Sequence, residues 1–290
     1  MKAYVINRAS SYAKGTWSSF HMGVHDGKWC DPKKLVRSTM ELNTSTFWIG
    51  PGKVYVDVQF PLYQTHYIDP LARRYMYKGC TCLLIQVPVT HNCDLEETFS
   101  RATKTKWDRL PIDYMFVPRI SLTKLNPNVI LFYGRKKVPF IVVTIANKSA
   151  MYKKAWEWIA QAQHPSYIPI TPVFTFPDAN GAFQEWKKIA DMYGIRTLPT
   201  PLGENPLSFE TLKVTGIYPY KGEFIYNGDA DYNLYPPLEQ EPIEAEGQMF
   251  YHNAIPYVTV LRGNVIRATT ISNEDGLGQN RSISIPNHFM

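Results

Sequence analysis

Short runs of apolar residues, separated by turn-forming residues, divide the first third of the chain into predicted strands. GKVYVDVQF (52–60) alternates apolar and polar positions after a Gly-Pro-Gly turn, which is typical of a half-buried strand. CLLIQVPV (82–89) is apolar almost throughout, and Pro88 favours a strand edge or end. NCDLEETFSRATKTKW (92–107) has acidic residues early and basic residues late, which predicts a helix aligned with its dipole.

The spacing of apolar residues changes near residue 128, where predicted strands begin to alternate with predicted helices. NVILFYG (128–134) and VPFIVVTIA (138–146) are predicted strands separated by a basic turn. NKSAMYKKAWEWIAQAQ (147–163) is a predicted helix, YIPITPVFTF (167–176) a strand, and AFQEWKKIADMYG (182–194) a second helix. This order favours a crossover unit in which the strands pair in parallel.

The segment after the second helix, YGIRTLPT (193–200), resembles the middle of a thioredoxin-like domain. The resemblance implies that Pro199 follows a cis peptide bond and packs against redox cysteines. The Cys-x-x-Cys motif of that family would follow the strand 138–146, where this chain has NKSA (147–150), so no thiol redox chemistry is expected there. From the residues alone, Gly194 is expected to cap the helix in a left-handed conformation.

The last 85 residues are rich in loops and acidic residues. Two hairpins are predicted, at 216–228 with a turn at Lys221-Gly222, and at 255–270 with a turn at Arg262-Gly263-Asn264. The segments 228–247 and 272–290 are predicted to be arms that contact neighbouring subunits.

The chain is therefore predicted to be mixed α/β, of the α+β kind. We expect a β-rich domain at 1–125, a strand–helix–strand–helix unit at 126–202, and an acidic loop and hairpin region with extended arms at 203–290.

Composition indicates a folded chain with an uneven charge distribution. Hydrophobic residues make up 44% of its 290 residues, with 19 Tyr and 22 Pro, so there is ample apolar surface to offset the entropy of ordering. Residues 1–160 hold 23 Lys and Arg against 11 Asp and Glu, whereas residues 161–290 hold 8 against 14. Opposite charge on the two parts would suit a polyanion at the first part, or head-to-tail packing of identical subunits.

The N-terminal sequence and the hydropathy favour synthesis in the cytoplasm. MKAYVINRASSYAKG lacks the apolar core of a signal peptide, and no apolar run approaches the roughly 20 residues of a membrane helix. We expect no membrane association and reduced thiols. A virion component, made and assembled in the cytoplasm, would look the same.

Histidine and cysteine side chains are concentrated before residue 94 and form a candidate zinc site. Zinc favours sulfur and nitrogen ligands in a tetrahedron, but Cys-x-Cys is a poor chelating spacing, and a cysteine in an apolar strand is also an ordinary small core residue. No cofactor is therefore expected, with zinc as the alternative. The candidate ligands are His21, His25, Cys30, Cys80, Cys82, His91 and Cys93.

Basic residues interleaved with aromatic residues form a candidate nucleic-acid interface. Such residues can neutralise phosphates and stack on bases, although ordinary amphipathic packing produces the same pattern. The candidate contacts are Arg73, Arg74, Lys78, Arg135, Lys136, Lys137, Lys153 and Lys154.

Catalytic motifs are absent from the sequence. There is no glycine-rich phosphate loop, no Gly-x-Ser-x-Gly elbow, and no acidic residue on the predicted strands between 128 and 146. The pattern favours a protein that is not an enzyme, and no small-molecule substrate is indicated.

These features together predict a structural or assembly subunit of a large complex, a homo-oligomer or multi-protein assembly such as a phage or viral capsid, collar or tail component. The first alternative is a protein that binds or processes nucleic acid through the basic face of residues 72–154. The second alternative is an enzyme of unrecognised type with a metal at the His/Cys cluster.

Overall fold

The computed structural model describes residues 3–13, 16–35, 39–58, 61–65, 68–89, 95–104, 107, 109–177, 179–236, 254–269, 271–272 and 277–283. The strands are β1 (Ala3–Ala13), β2 (Thr16–His25), β3 (Lys28–Cys30), β4 (Met40–Asn43), β5 (Trp48–Pro51), β6 (Lys53–Val56), β7 (Cys80–Val89), β8 (Asp113–Ser121), β9 (Ile141–Ile145), β10 (Ile170–Phe174), β11 (Tyr232–Tyr235), β12 (Val258–Leu261), β13 (Asn264–Ala268) and β14 (Ile271–Ser272). The helices are α1 (Ile68–Tyr77), α2 (Leu95–Thr103), α3 (Pro127–Arg135), α4 (Lys148–Tyr152), α5 (Trp156–Gln163), α6 (Ala182–Tyr193) and α7 (Phe209–Thr215).

A parallel sheet forms the centre of the molecule, with the strand order β10-β9-β8-β7-β6. Each strand pairs in parallel with its neighbour in the sequence, and helices connect successive strands. Parallel neighbours require such crossover connections because the chain must return to the same end of the sheet before it starts the next strand. The result is a repeated strand–helix arrangement from residue 53 to residue 193.

The two faces of the parallel sheet are covered by different parts of the chain. On one face, here called the helical face, apolar residues pack against α1, α2, α3, α5 and α6. On the other, here called the α7 face, Val54 and Val142 pack against Leu212 of α7 and against Leu198 and Ile217 of the adjoining segments. Both faces are buried, which explains why these strands are apolar almost throughout and do not alternate.

A second, mainly antiparallel sheet is built from both ends of the chain, in the order β14-β13-β12-β11-β5-β1-β2-β3, with β4 beside β1. Its core contains Trp29 in contact with Phe224 and Tyr232, with ring centroids 5.5 Å apart in both pairs. Leu261 and Ile266 of this sheet also belong to the apolar core that covers the helical face of the parallel sheet. The two sheets therefore share buried apolar contacts.

The predicted mixed α/β class is confirmed, and several predicted elements lie where the sequence pattern placed them. The runs 82–89 and 138–146 contain β7 and β9, and the run 182–194 forms α6. Gly194 caps α6 with a φ of 66°, as expected for a left-handed residue. The hairpin at 255–270 is formed by β12 and β13, which turn at Arg262-Gly263.

The predicted strand at 128–134 is wrong, because these residues belong to helix α3. Asn126 caps the helix by accepting a hydrogen bond from the backbone N–H of Val129 at 3.1 Å, and Pro127 is its first residue. An N-cap asparagine followed by proline at N1 is a local start signal that outweighs the apolar content of the run. The buried side chains of Val129, Ile130 and Tyr133 follow helical spacing.

The predicted hairpin at 216–228 is also wrong, since this segment contains turns and no strand. Lys221, expected at an exposed turn, is 1% exposed, because three carboxylates surround its ammonium group. The structure gives no support to the thioredoxin-like resemblance either. β9 and β10 belong to a parallel sheet of five strands that are arranged in the order of the sequence. The peptide bond before Pro199 is not cis.

The predicted boundaries at residues 125 and 202 stay a prediction. The parallel sheet takes β6, β7 and β8 from residues 53–121 and β9 and β10 from residues 141–174. The predicted arm at 228–247 contains β11, and its residues 237–247 lie outside the described residues. Among the helices that the structure describes, none combines the length and apolar character needed to cross a bilayer.

Replacing Asn126 by alanine should remove the N-cap of α3 and lower the free energy of unfolding by about 1 kcal/mol. Asn128→Ala is the matched control, because Asn128 is an exposed residue in the first turn of the same helix and alanine is the better helix former. Urea denaturation followed by circular dichroism measures both. Equal stabilities of the two variants would contradict the assignment of Asn126 as the cap.

Candidate functional site

The carboxyl ends of β6 to β10 meet at one edge of the parallel sheet, here called the carboxyl edge. Ligands of open α/β sheets and of α/β barrels bind at this edge, because the loops that follow the strands converge there. Three polar side chains lie close to it: Gln86 on β7, Arg119 on β8 and Thr144 on β9. Side chains alternate along a strand, so these three residues lie on the α7 face.

Arg119 presents a cation at the carboxyl edge and is held by its neighbour strand. Its Nε donates a hydrogen bond to Thr144 Oγ1 at 3.1 Å, and both side chains are half-buried. The terminal nitrogens of the guanidinium have no other partner among the residues that the structure describes. They are donors in a fixed planar arrangement, suited to a carbonyl or carboxylate oxygen of a ligand.

Gln86 is a buried amide whose oxygen has no partner within the described part of the chain. The side chain is 1% exposed, and its Nε2 donates to the backbone oxygen of Asp57 at 3.0 Å. That bond fixes the orientation of the amide and leaves Oε1 buried without a donor near the carboxyl edge. An unpaired buried acceptor is costly.

Asp57 follows β6 and forms hydrogen bonds near the same carboxyl edge. Its Oδ1 accepts from the backbone N–H of Gln86 at 2.8 Å, and its Oδ2 accepts from the backbone N–H of Leu62 at 2.7 Å. Complete burial raises the pKa of this carboxyl to about 7, although both hydrogen bonds act to lower it. Since both oxygens are engaged, Asp57 is a positioning residue for Gln86.

Three buried aspartates form a second cluster at the opposite, amino edge of the parallel sheet. Asp113 is the first residue of β8, and Asp229 and Asp231 lie just before β11 of the antiparallel sheet. The Nζ atom of Lys221 lies 2.6 Å from Asp113 Oδ2, 2.7 Å from Asp229 Oδ2 and 2.6 Å from Asp231 Oδ2. We call these four residues the lysine–aspartate cluster, which joins the two sheets.

The outer oxygens of the cluster are also occupied. Asp231 Oδ1 accepts from the backbone N–H of Arg262 at 2.8 Å, and Asp113 Oδ1 accepts from the backbone N–H of Gln279 at 2.8 Å. The guanidinium of Arg262 contacts Asp113, the ammonium of Lys28 contacts Asp229 Oδ1, and Arg281 Nη2 lies 2.7 Å from Asp229 Oδ2. The buried carboxylates are thus surrounded by cations.

The environment sets the protonation of the cluster. Burial by itself lowers the pKa of Lys221, but the charges of Asp231, Asp113 and Asp229 outweigh it and raise the pKa above its ordinary value. Burial acts to raise the pKa of Asp229, and Lys221 with the neighbouring cations brings it below the ordinary value. Burial dominates at Asp231 and raises its pKa. The lysine is therefore charged throughout the physiological pH range.

The three aspartates could hold a metal ion, because one carboxylate oxygen from each lies within 4.8 Å of the others. Carboxylate oxygens are the usual ligands of Mg²⁺ and Ca²⁺. The ammonium of Lys221, however, contacts the same oxygens. A metal ion and a charged Lys221 cannot share this position, so the residues present do not fit a metal while Lys221 is in place.

Lys53 is a further buried cation, at the start of β6 between the two sheets. Its ammonium donates to the backbone oxygen of Ala254 at 2.9 Å and lies 5.4 Å from the centre of the Tyr235 ring. Burial lowers the pKa of Lys53 to about 7. Folding thus makes the neutral form of this side chain much easier to reach than in an unfolded chain.

The structure does not bring the predicted zinc ligands together. His21 and His25 lie on β2, Cys30 on β3, and Cys80 and Cys82 on β7, with the last two on opposite faces of the parallel sheet. Burial raises the pKa of the thiols of Cys80 and Cys82, which disfavours the thiolate that zinc binds. His91 and Cys93 lie outside the described residues. In the described part of the chain, the three aspartates are the one group with metal-binding geometry.

The predicted nucleic-acid contacts are spread over several elements. Arg73 and Arg74 are on α1 with Lys78 just after it, Arg135 ends α3, Lys136 and Lys137 follow it, and Lys153 and Lys154 follow α4. Lys136 is paired with Glu96 at 2.6 Å, and Lys154 donates to the backbone oxygens of Leu122, at 3.2 Å, and Leu125. These two lysines thus have structural roles within the chain.

Sequence reasoning missed the residues at both edges of the sheet. Gln86 was hidden in a run assigned to an apolar strand, Arg119 lay in a segment for which no element was predicted, and Lys221 lay in a predicted turn. A lone polar or charged residue inside an apolar run was the available signal, because such a residue needs a partner when it is buried. The partners themselves come from distant segments and cannot be identified from spacing.

Comparison with known proteins shows likeness in structure and none in sequence. No protein-family profile matches the chain, and no curated protein aligns with it significantly. A D-hydantoinase (dihydropyrimidinase) from Thermus sp. superposes with a TM-score of 0.67 and 10% identity over 98% of this chain and 100% of its own. A dihydropyrimidinase from Brevibacillus agri gives 0.58 and 11% over 98% and 99%, and a triazine hydrolase variant gives 0.55 and 9% over 96% of both chains. The likeness is therefore one of fold.

The prediction of a structural virion or phage subunit is wrong, since this fold is shared with hydrolytic enzymes over almost the whole chain. The tyrosine content misled the prediction because many tyrosines are core residues and not contact surface. Tyr55, Tyr133, Tyr232 and Tyr235 are at most 3% exposed. The nucleic-acid alternative stays a prediction. The predicted oligomeric assembly stays a prediction.

Replacing Lys53 by methionine should raise the free energy of unfolding at pH 7 and below, by on the order of 1–3 kcal/mol. The pKa of Lys53 is about 7 when folded and ordinary when unfolded, so the wild type bears the full cost of burying the charge below pH 7. That cost disappears as the pH rises toward the ordinary lysine value, and the advantage of the variant should shrink with it.

Urea denaturation at pH 6, 8 and 10 tests this, with Lys188→Met as control because Lys188 is exposed on α6. A variant advantage that is constant with pH, or that grows at high pH, would contradict the lowered pKa of Lys53.

Proposed function

We propose that this chain is a hydrolase that opens a C–N bond of a small nitrogen-containing ring, with the substrate bound at the carboxyl edge beside Arg119. The observation that carries the proposal is the fold, which the chain shares with a hydantoinase, a dihydropyrimidinase and a triazine hydrolase over at least 96% of its length. Hydantoins, dihydropyrimidines and triazines are all small rings that contain nitrogen.

The chemistry of the carboxyl edge supports a ring amide as the ligand. The edge of a ring amide presents an N–H donor next to a carbonyl acceptor. Gln86 Oε1 is an acceptor without a partner in the described residues, and the terminal nitrogens of Arg119 are donors. Arg119 would donate to the ring carbonyl, and Gln86 Oε1, which the folded chain shields from solvent, would accept from the ring N–H when the substrate reaches it. A site that pairs both groups rejects analogues that lack them.

Hydrolysis would proceed by addition of water to the ring carbonyl carbon. Negative charge then develops on the carbonyl oxygen, the C–N bond breaks, and the ring nitrogen takes up a proton. The guanidinium of Arg119 would stabilise the developing charge, and Thr144 would hold that guanidinium in place. Asp57 would keep Gln86 in the orientation that leaves its oxygen free.

The test is an assay of the purified full chain with hydantoin and 5,6-dihydrouracil, which both contain a ring amide, followed by mass spectrometry of the ring-opened products. Turnover of at least one ring is expected. Arg119→Gln should lower kcat/KM by roughly 100-fold or more, because removing one donor to a developing oxyanion costs about that much.

Arg101→Gln is the control, since Arg101 is an exposed residue on α2 that pairs with Glu97 at 3.2 Å, within its own helix. Circular dichroism establishes that each variant is folded. Absence of turnover of both rings by the folded wild type, or full activity of Arg119→Gln, would refute the proposal.

A further inference from the structure

The position of Lys221 within the lysine–aspartate cluster is unusual for a lysine. Both the ammonium and the carboxylates it contacts are removed from solvent, with side-chain exposures of 0% for Lys221, Asp113 and Asp229 and 1% for Asp231. A lysine ammonium has three N–H donors, and here three carboxylate oxygens lie within 2.7 Å of it. The ammonium thus has an anionic partner on three sides.

The arrangement around this ammonium has the ligands of a cation site. The oxygens that face Lys221 are Oδ2 of each aspartate, and the same three carboxylates have the spacing that could hold a metal ion. Their other oxygens are fixed from outside by the backbone N–H groups of Arg262 and Gln279 and by Lys28. The carboxylates are therefore oriented toward a central positive charge.

The carboxylates of the cluster are already outnumbered by cations without a metal. Three carboxylates face four cationic side chains: Lys28, Lys221, Arg262 and Arg281. In the wild type a divalent ion could enter only by displacing the ammonium of Lys221, which would then be a buried charge without an anionic partner. The cost of such a charge is high.

We propose that Lys221 is the built-in cation of this junction, and that its ammonium takes the place of a divalent metal ion between Asp113, Asp229 and Asp231. The segment after α7 supplies the cation, and the two sheets supply the carboxylates. The junction between the sheets would then form without metal, whether or not the chain is a hydrolase.

The proposal predicts that two variants without the ammonium of Lys221 differ in their ability to bind a divalent ion. In Lys221→Ala, the carboxylates face one another across a space that the lysine has left. Oxygen ligands and room for water suit Mn²⁺, Mg²⁺ or Ca²⁺. In Lys221→Met, the charge is lost but a side chain of similar length still fills the space, so no ion can enter.

Thermal unfolding of the full chain, with EDTA and with millimolar Mn²⁺ or Ca²⁺, tests the proposal. The Tm of the wild type should be the same with EDTA as with divalent ions. Elemental analysis of wild-type protein purified without chelator should find no stoichiometric metal whose binding is lost when Asp113 is replaced. Both lysine variants should lose roughly 10 °C in Tm in EDTA, because three buried carboxylates lose their central counter-ion. Divalent ions should restore several degrees to Lys221→Ala and nothing to Lys221→Met.

Two outcomes would overturn the proposal. One is a stoichiometric metal in the wild type whose removal by EDTA lowers the Tm and whose binding is lost in Asp113→Asn. The other is equal rescue of Lys221→Ala and Lys221→Met by divalent ions, since this would show that the ions act elsewhere. If Lys221→Ala does not fold in EDTA, recovery of folding on addition of Mn²⁺ supports the proposal, and the wild-type measurements decide it independently.

Discussion

The ion cluster around Lys221 is the interaction on which the arrangement of the two sheets depends. Asp113 belongs to the parallel sheet, Asp229 and Asp231 precede a strand of the antiparallel sheet, and Lys221 lies between them after α7. Buried charges are tolerated only when each has a partner, so these residues must be placed together or the fold is strongly penalised. Apolar contacts between the sheets, such as those of Leu261 and Ile266, add stability to this junction.

The polar side chains near the carboxyl edge form a separate group, away from the lysine–aspartate cluster at the amino edge. Gln86, Arg119 and Thr144 lie on neighbouring strands near the carboxyl edge, and Asp57 fixes the amide of Gln86 through its backbone oxygen. The sheet therefore has buried charges at its amino edge and a separate set of polar groups near its carboxyl edge. Among parallel α/β folds in general, stability is associated with the amino ends of the strands and function with the carboxyl ends.

For some elements, the sequence pattern alone was enough to predict the structure correctly. β9 and α6 were predicted because a continuous apolar run and an amphipathic period are local properties, and Gly194 ends α6 because of its own conformational freedom. The segment 128–134 was misassigned because its apolar content outweighed the Asn126-Pro127 start signal that precedes it. Lys221 was misassigned because Lys-Gly is a common turn pair, and nothing nearby in the sequence shows three distant carboxylates.

The sequence by itself determined the mixed α/β class, most of the strands and helices of the central region, and the absence of cysteine at residues 147–150. These depend on periodicity, capping and residue type over a few positions. Only the tertiary structure decided that tyrosines fill the core, that Cys80 and Cys82 face opposite sides of a sheet, and that Lys221 meets Asp113 across 108 positions. The physical reason is that such contacts depend on the order of the strands in each sheet and on which face each side chain occupies. No local sequence pattern encodes that order.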